Sequence, residues 1–185
     1  MIRLFAALAV PADLAEGLAR RQNGLSGARW RPVDSLHVTL CFIGEVAETL
    51  AADIDAELSR IDGPTVALTL EGAGAFGEGT DVRAVWAGVA ENAELRVLAG
   101  RCERAARRAG ASLQRRAYRP HVTLAYLRRP EPRDVAAWIG ANNLLRSPPF
   151  SPPGFGLYSS WGSSEGSRYV LERFYPLRAG AAGAA

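Results

Sequence analysis

The chain has 185 residues, 48% of them apolar and 22% charged, which suits a folded domain with its own core and excludes a disordered or low-complexity polypeptide. Its net charge of +3 rests on arginine alone, because all 22 basic residues are Arg; the excess favours a phosphate-bearing partner and carries little weight by itself. Two cysteines, Cys41 and Cys102, are too few for a disulfide framework and form no CxxC or Cys/His cluster, so they read as reduced, buried thiols of a cytoplasmic protein.

In chain order, residues 2–10 contain one basic residue, Arg3, followed by a short apolar run. It reads as a buried first strand rather than a signal peptide, because Pro11 at once opens an amphipathic helix at 12–22 with Leu14 and Leu18 four apart. Residues 23–35 are turn-rich. Residues 36–43 form an apolar strand ending at Gly44, and a helix at 47–60 carries Leu50, Ile54 and Leu58 on one side until Gly63-Pro64 breaks the pattern. Two β-type runs, 65–71 and 82–89, are joined by the glycine-rich stretch 72–79. That stretch lacks the GxxxxGK[ST] pattern and a following helix, so it is expected to be a hairpin connection rather than a phosphate loop. A helix at 91–109 with Leu95, Leu98 and Cys102 inward follows, then a strand at 119–127, a helix at 132–140, a proline-rich loop, and two strands near 155–160 and 167–175. No segment is long and apolar enough to span a membrane. Mixed helices, strands and hairpins predict an α+β fold with largely antiparallel sheets: one domain over 1–178, with a frayed Ala/Gly tail at 179–185.

The chemistry is concentrated in a repeat. The chain's two histidines both sit in the tetrapeptide His-Val-Thr-Leu, at His37-Val38-Thr39-Leu40 and His121-Val122-Thr123-Leu124, 84 residues apart and each followed by a predicted helix. Given two histidines, a chance match of the next three residues is on the order of one in a thousand for this composition. Side chains alternate along a strand, so His and Thr share one face while Val and Leu anchor the other to a core. Two lobes of similar design, bringing these strands together, would line one groove with two imidazoles and two hydroxyls. In-line displacement at phosphorus needs a base for water and an acid for the leaving oxygen, and an imidazole serves either role near neutral pH. Thr39 and Thr123 can donate to non-bridging oxygens. No carboxylate accompanies the histidines, so the expected chemistry uses neither a metal nor a cofactor.

These residues give the chain a resemblance to the two-histidine phosphoesterase superfamily, whose signature is a pair of HxT motifs. More narrowly it resembles the bacterial and archaeal RNA 2',3'-cyclic phosphodiesterases, formerly named 2'-5' RNA ligases. The resemblance extends over Arg3-Leu4-Phe5-Ala6 with Pro11, Arg29-Trp30-Arg31-Pro32, Leu36 to Gly44, Val85 to Val89, Arg119-Pro120 and Leu157-Tyr158-Ser159. It implies a bilobal fold with a pseudo-twofold axis and two antiparallel sheets with flanking helices, the groove lying between the lobes. It also implies hydrolysis of a terminal 2',3'-cyclic phosphate to a 2'-phosphomonoester. By motif position, His37 would be the proton donor to the leaving oxygen and His121 the proton acceptor from water; the identical motifs do not themselves order the two.

The family often carries a basic residue five places after the second histidine, where this chain has Tyr126. Arg119, two residues before His121, shares its strand parity and is the alternative phosphate contact. Tyr126 and Tyr158 are further substrate-binding candidates, and Trp30 is open to base stacking. Parity places Phe42 with Val38 and Leu40 in the core, and Trp86 also reads as core. Cys41 has the parity of His37 and borders the groove without an assigned role.

Partners would be RNA with a 2',3'-cyclic phosphate end or a small cyclic-phosphate nucleotide, with no membrane; nothing in the pattern demands an oligomer, so a monomer is expected. Competing readings are 2'-5' RNA ligation, opening of a small cyclic nucleotide, and a non-catalytic RNA-end binding module.

Overall fold

The computed structural model describes residues 1–114, 117–163 and 166–178; the expectation for 179–185 lies outside them. The elements run β1 (Ile2–Ala9), α1 (Ala12–Ala19), β2 (Arg29–Trp30), β3 (His37–Val46), α2 (Glu48–Leu58), β4 (Leu70–Phe76), β5 (Ala84–Val89), α3 (Ala93–Arg108), β6 (His121–Tyr126), α4 (Pro132–Asn142), β7 (Gly154–Ser163) and β8 (Gly166–Pro176). The α+β expectation is met, with one continuous antiparallel sheet in place of the two expected. The strands form one eight-stranded sheet in the order β4-β5-β6-β3-β1-β7-β8, with β2 added against β6, and all the pairings between named strands are antiparallel.

The two motif strands are therefore neighbours. β3 and β6 pair at Val38↔Val122 and join a half built on β6 to a half built on β3. Further along the same edge of β6, β2 takes over, pairing Arg29 with Tyr126 and Trp30 with Ala125.

Helix α3 shows how the sequence sets these elements. Its first turn is capped by Asn92, whose side chain accepts the Leu95 N–H at 2.8 Å. It ends where Gly110 adopts φ 107°: Ala111 N–H donates to Ala106 O at 2.9 Å and Gly110 N–H to Arg107 O at 3.0 Å, closing the helix in a Schellman motif. Leu95, Leu98, Ala99, Cys102, Ala105 and Ala106 form its buried stripe, facing β3 and α2. Leu95→Ala would open a cavity costing about 2–5 kcal/mol. Helix α2, packed beside α3, is tied to β8 through Asp55, which accepts from Tyr175 Oη at 2.7 Å and from Arg173 Nε at 3.2 Å.

The glycine-rich stretch differs from expectation. The hairpin is present but its link is shorter on this side: residues 70–76 form β4 itself, paired with β5, and only 77–79 of the stretch belong to the connection, while 65–69 is held by an isolated bridge between Leu68 and Phe150. The reason is steric. A Cβ on Gly74 would lie 2.3 Å from the Trp86 ring, so glycine gives that indole room to lie across the strand.

Candidate active site

The motif strands deliver what their alternation promised. Val38, Leu40, Val122 and Leu124 are buried to 3% exposure or less, while His37, Thr39, His121 and Thr123 are half-buried on the opposite face. Antiparallel pairing about Val38↔Val122 sets Thr123 across from His37 and Thr39 across from His121. Each imidazole thus has the other motif's hydroxyl as its cross-strand neighbour.

Both rings are oriented alike. His37 Nδ1 lies 2.7 Å from Ser35 O, and His121 Nδ1 lies 2.7 Å from Arg119 O. A carbonyl only accepts, so Nδ1 carries the hydrogen in each and Nε2 is left as the working nitrogen.

Past the threonines both strands bulge at the same place. In β3 the partners of Ala7 and Ala6 are Thr39 and Cys41, leaving Leu40 as the extra residue. In β6 the partners of Trp86 and Val85 are Thr123 and Ala125, leaving Leu124. One extra residue reverses the alternation beyond it. This overturns the core assignment of Phe42: it is 61% exposed, on the face of the histidines, as Tyr126 is on β6. Cys41 is turned inward by the same bulge, although it still lines the edge of a cavity beside His121. Burial pushes its thiol up to about 12, so it is protonated at neutral pH.

The surroundings of the two histidines differ. His37 packs among Phe5, at 4.9 Å between ring centroids, Tyr169, edge-on at 5.2 Å, and Tyr158, stacked at 6.4 Å. Gly156 permits this, since a Cβ there would come within 2.6 Å of the Tyr158 ring. His121 instead meets Phe76 edge-on at 4.7 Å and Trp86 at 6.2 Å. Trp86 is therefore not a core residue as expected: it is half-buried on the groove face, paired across from Thr123.

Desolvation lowers both imidazole pKa values. His37 is pushed down to about 4, chiefly by burial, with the charges of Arg31 and His121 adding to it and the Ser35 carbonyl opposing. His121 is lowered as well, by burial and by the Arg119 charge, against the Arg119 carbonyl.

A cavity of about 870 Å³ opens on the His37 side, lined by Arg29, Arg31, His37, Tyr126, Tyr158 and Tyr169 among others. A smaller one of about 230 Å³ opens beside His121, lined by Thr39, Phe42, Tyr118 and Arg119. Of the expected substrate contacts, Tyr126 and Tyr158 line the larger cavity and Arg119, exposed, the smaller. Trp30 also reaches the larger cavity, with its ring packed against Trp138 at 6.2 Å. Arg31, Phe5, Tyr169 and Phe76 had no sequence signal as site residues; Arg31 and Phe5 lie in segments that carry the family resemblance, with no pattern to single them out. Among the described residues no three His, Cys, Asp or Glu side chains cluster so as to hold a metal ion.

Comparison with known proteins points the same way. The model of the 2'-5' RNA ligase superfamily matches residues 10–157. Relatives named RNA 2',3'-cyclic phosphodiesterase include one from Archaeoglobus fulgidus, 31% identical over 71% of this chain and 76% of its own. Another, from Escherichia coli K12, is 34% identical over 66% and 70%. A third, from Thermus thermophilus, is 32% identical over 94% and 89%. Among solved structures, E. coli LigT complexed with 3'-AMP superposes with a TM-score of 0.76 at 28% identity, covering 95% of this chain and 98% of that one.

Proposed function

The chain belongs to the 2'-5' RNA ligase superfamily, and from that premise we propose that it is an RNA 2',3'-cyclic phosphodiesterase, opening the cyclic phosphate at an RNA 3' end to a 2'-phosphomonoester. The observation that carries this reading is the pairing of Val38 with Val122, which sets two Nε2 atoms and two threonine hydroxyls on one face.

The chemistry follows from that face. Water attacks phosphorus in line with the 3'-oxygen. His121 Nε2 takes the water proton as the P–O bond forms, and His37 Nε2–H gives a proton to the 3'-oxygen as its bond to phosphorus breaks. Thr39 and Thr123 donate to the non-bridging oxygens, where charge builds. His37 must hold a proton for this, and its desolvated, tyrosine-lined setting opposes one in the free protein. The anionic substrate supplies the opposing charge that lifts it. Tyr158 and Tyr126 offer faces for the terminal nucleoside, and Arg119 reaches the phosphate from the His121 side. We further propose that a single domain over 1–178 carries the activity, as a monomer in the cytoplasm. A sedimentation mass near 19.8 kDa is expected, and a dimer mass would overturn the monomer.

The deciding experiment is turnover of a short RNA ending in a 2',3'-cyclic phosphate, in excess EDTA, with the position of the product phosphate resolved. A 2'-phosphate is expected. A 3'-phosphate would make the 2'-oxygen the leaving group and overturn the mechanism. No turnover by a folded sample would overturn the reading altogether.

A further inference from the structure

The larger cavity, with His37 on its wall, continues past Tyr126. There a further cavity of about 410 Å³ opens, lined by Gly27, Arg29, Tyr126, Leu127 and Arg128. Arg29 and Tyr126 line both, so the two spaces adjoin across one pair of side chains. The sheet fixes that pair: Arg29 and Tyr126 are cross-strand partners where β2 joins β6. Just beyond, the Leu127 N–H donates to Arg83 O at 2.8 Å, which holds the chain after Tyr126 against the residue before β5 and brings Arg128 to the cavity. Arg29, Arg83, Arg128 and Arg129 are all exposed at this end of the sheet. Of the described residues lining the two cavities, Asp34 is the one carboxylate, and it stands on the larger.

Exposed arginines around a hollow of this size suit a solvated, phosphate-bearing chain, whose oxygens a guanidinium fork matches. In the proposed reaction the terminal nucleoside lies in the larger cavity, with its cyclic phosphate at the two histidines, and its 5'-oxygen carries the rest of the RNA. One nucleotide back along that RNA is a phosphodiester, and one side chain along β6 is a space with two guanidiniums. We propose that this second cavity is a subsite for the phosphodiester preceding the terminal nucleotide, held by Arg29 and Arg128, so that the protein selects an RNA end over a free nucleoside cyclic phosphate. A mononucleotide fills the larger cavity and leaves the subsite empty. An oligonucleotide gains a contact remote from the reacting phosphorus, and that contact steadies the terminal ribose for in-line attack.

This inference rests on the phosphodiesterase reading, and the test separates the two. It compares kcat/KM for a nucleoside 2',3'-cyclic phosphate with that for a dinucleotide ending in the same group. The wild type is expected to prefer the dinucleotide at least about tenfold, the size of one charge-assisted contact. A smaller preference would overturn the subsite and leave the phosphodiesterase reading standing. An uncharged methylphosphonate in place of the internal phosphate should cut the wild-type preference about fivefold or more. A smaller cut would mean that the second base is read instead, and the phosphate contact falls. Arg128→Gln should cut the preference for the ordinary dinucleotide to the same extent, with no further loss on the methylphosphonate. Equal losses on both would mark a structural effect and overturn the role of Arg128; the methylphosphonate arm needs no variant to fold. If the wild type turns over neither substrate, the phosphodiesterase reading falls and binding decides the subsite. The anisotropy of a labelled pentanucleotide with a 3'-phosphate should then show Kd raised about fivefold or more in Arg128→Gln, with its dependence on salt shallower by about 0.7 in log–log slope. A smaller loss would overturn the contact.

Discussion

The His37 and His121 half-sites are the same in sequence for four residues and the same in local structure for six. Each has a ring nitrogen 2.7 Å from the carbonyl two residues earlier, a bulge at the leucine, a small buried residue next, and an aromatic ring returned to the groove face. They differ in what distant parts of the chain bring to them. β1, β7 and β8 surround His37 with Phe5, Tyr158 and Tyr169, while β4 and β5 bring Phe76 and Trp86 to His121. Repeated local sequence sets a repeated nucleus of geometry, and tertiary neighbours then give two identical imidazoles different surroundings. In the free protein those surroundings push His37 down, the reverse of what its proposed acid role needs, so that role depends on the charge of a bound anionic substrate.

The most severe way to break the comparison is to remove either imidazole. His37→Ala and His121→Ala should each lower kcat about a thousandfold in single-turnover assays, because each proton transfer lacks a substitute. A variant retaining near-normal kcat would remove its histidine from the chemistry and leave the half-sites functionally unrelated.

The pH dependence of kcat/KM sharpens the same contrast. The productive free enzyme holds one proton on the pair. With His37 pushed down to about 4 and His121 also below its ordinary 6.5, that form dominates between the two values. Below them both rings are charged, and above them both are neutral. A bell with its maximum on the acid side of 6.5 is expected, and it has the same form whichever ring carries the proton. A maximum above pH 7.5 would show that the tyrosine-lined setting does not depress the pair.

A smaller effect isolates the cause. Tyr169→Ala admits water to His37 but not to His121. In an NMR titration the His37 resonance should therefore move up toward 6.5 while that of His121 stays in place. Equal movement of both would mean that their environments are shared rather than separate.

The smallest expected effect concerns the bulge. Phe42→Ala should change unfolding free energy by no more than about 0.5 kcal/mol, as an exposed ring does. Leu40→Ala, two residues away, should cost about 2–5 kcal/mol. Similar losses at both positions would mean that the alternation continues unbroken through Cys41.

The sequence by itself determined the candidate catalytic set: two imidazoles and two hydroxyls, each pair on one face of a strand with Val and Leu behind it. Two-residue alternation is a property of the backbone over a few residues, and it needs no distant information. For the same reason the helices were legible from spacing, with α3 recognisable from Leu95, Leu98 and Cys102. Tertiary structure alone decided the rest. It paired β3 with β6, and the bulges in their ladders returned Phe42 and Tyr126 to the groove and turned Cys41 inward. It laid Trp86 over Gly74 beside His121, made a strand of the glycine-rich stretch 72–76, and buried Arg31 beneath two tyrosines. Each of these depends on which strand lies alongside and in what register. That choice is settled by contacts between residues far apart in the chain, where one extra residue in a ladder is enough to reverse which way a side chain faces.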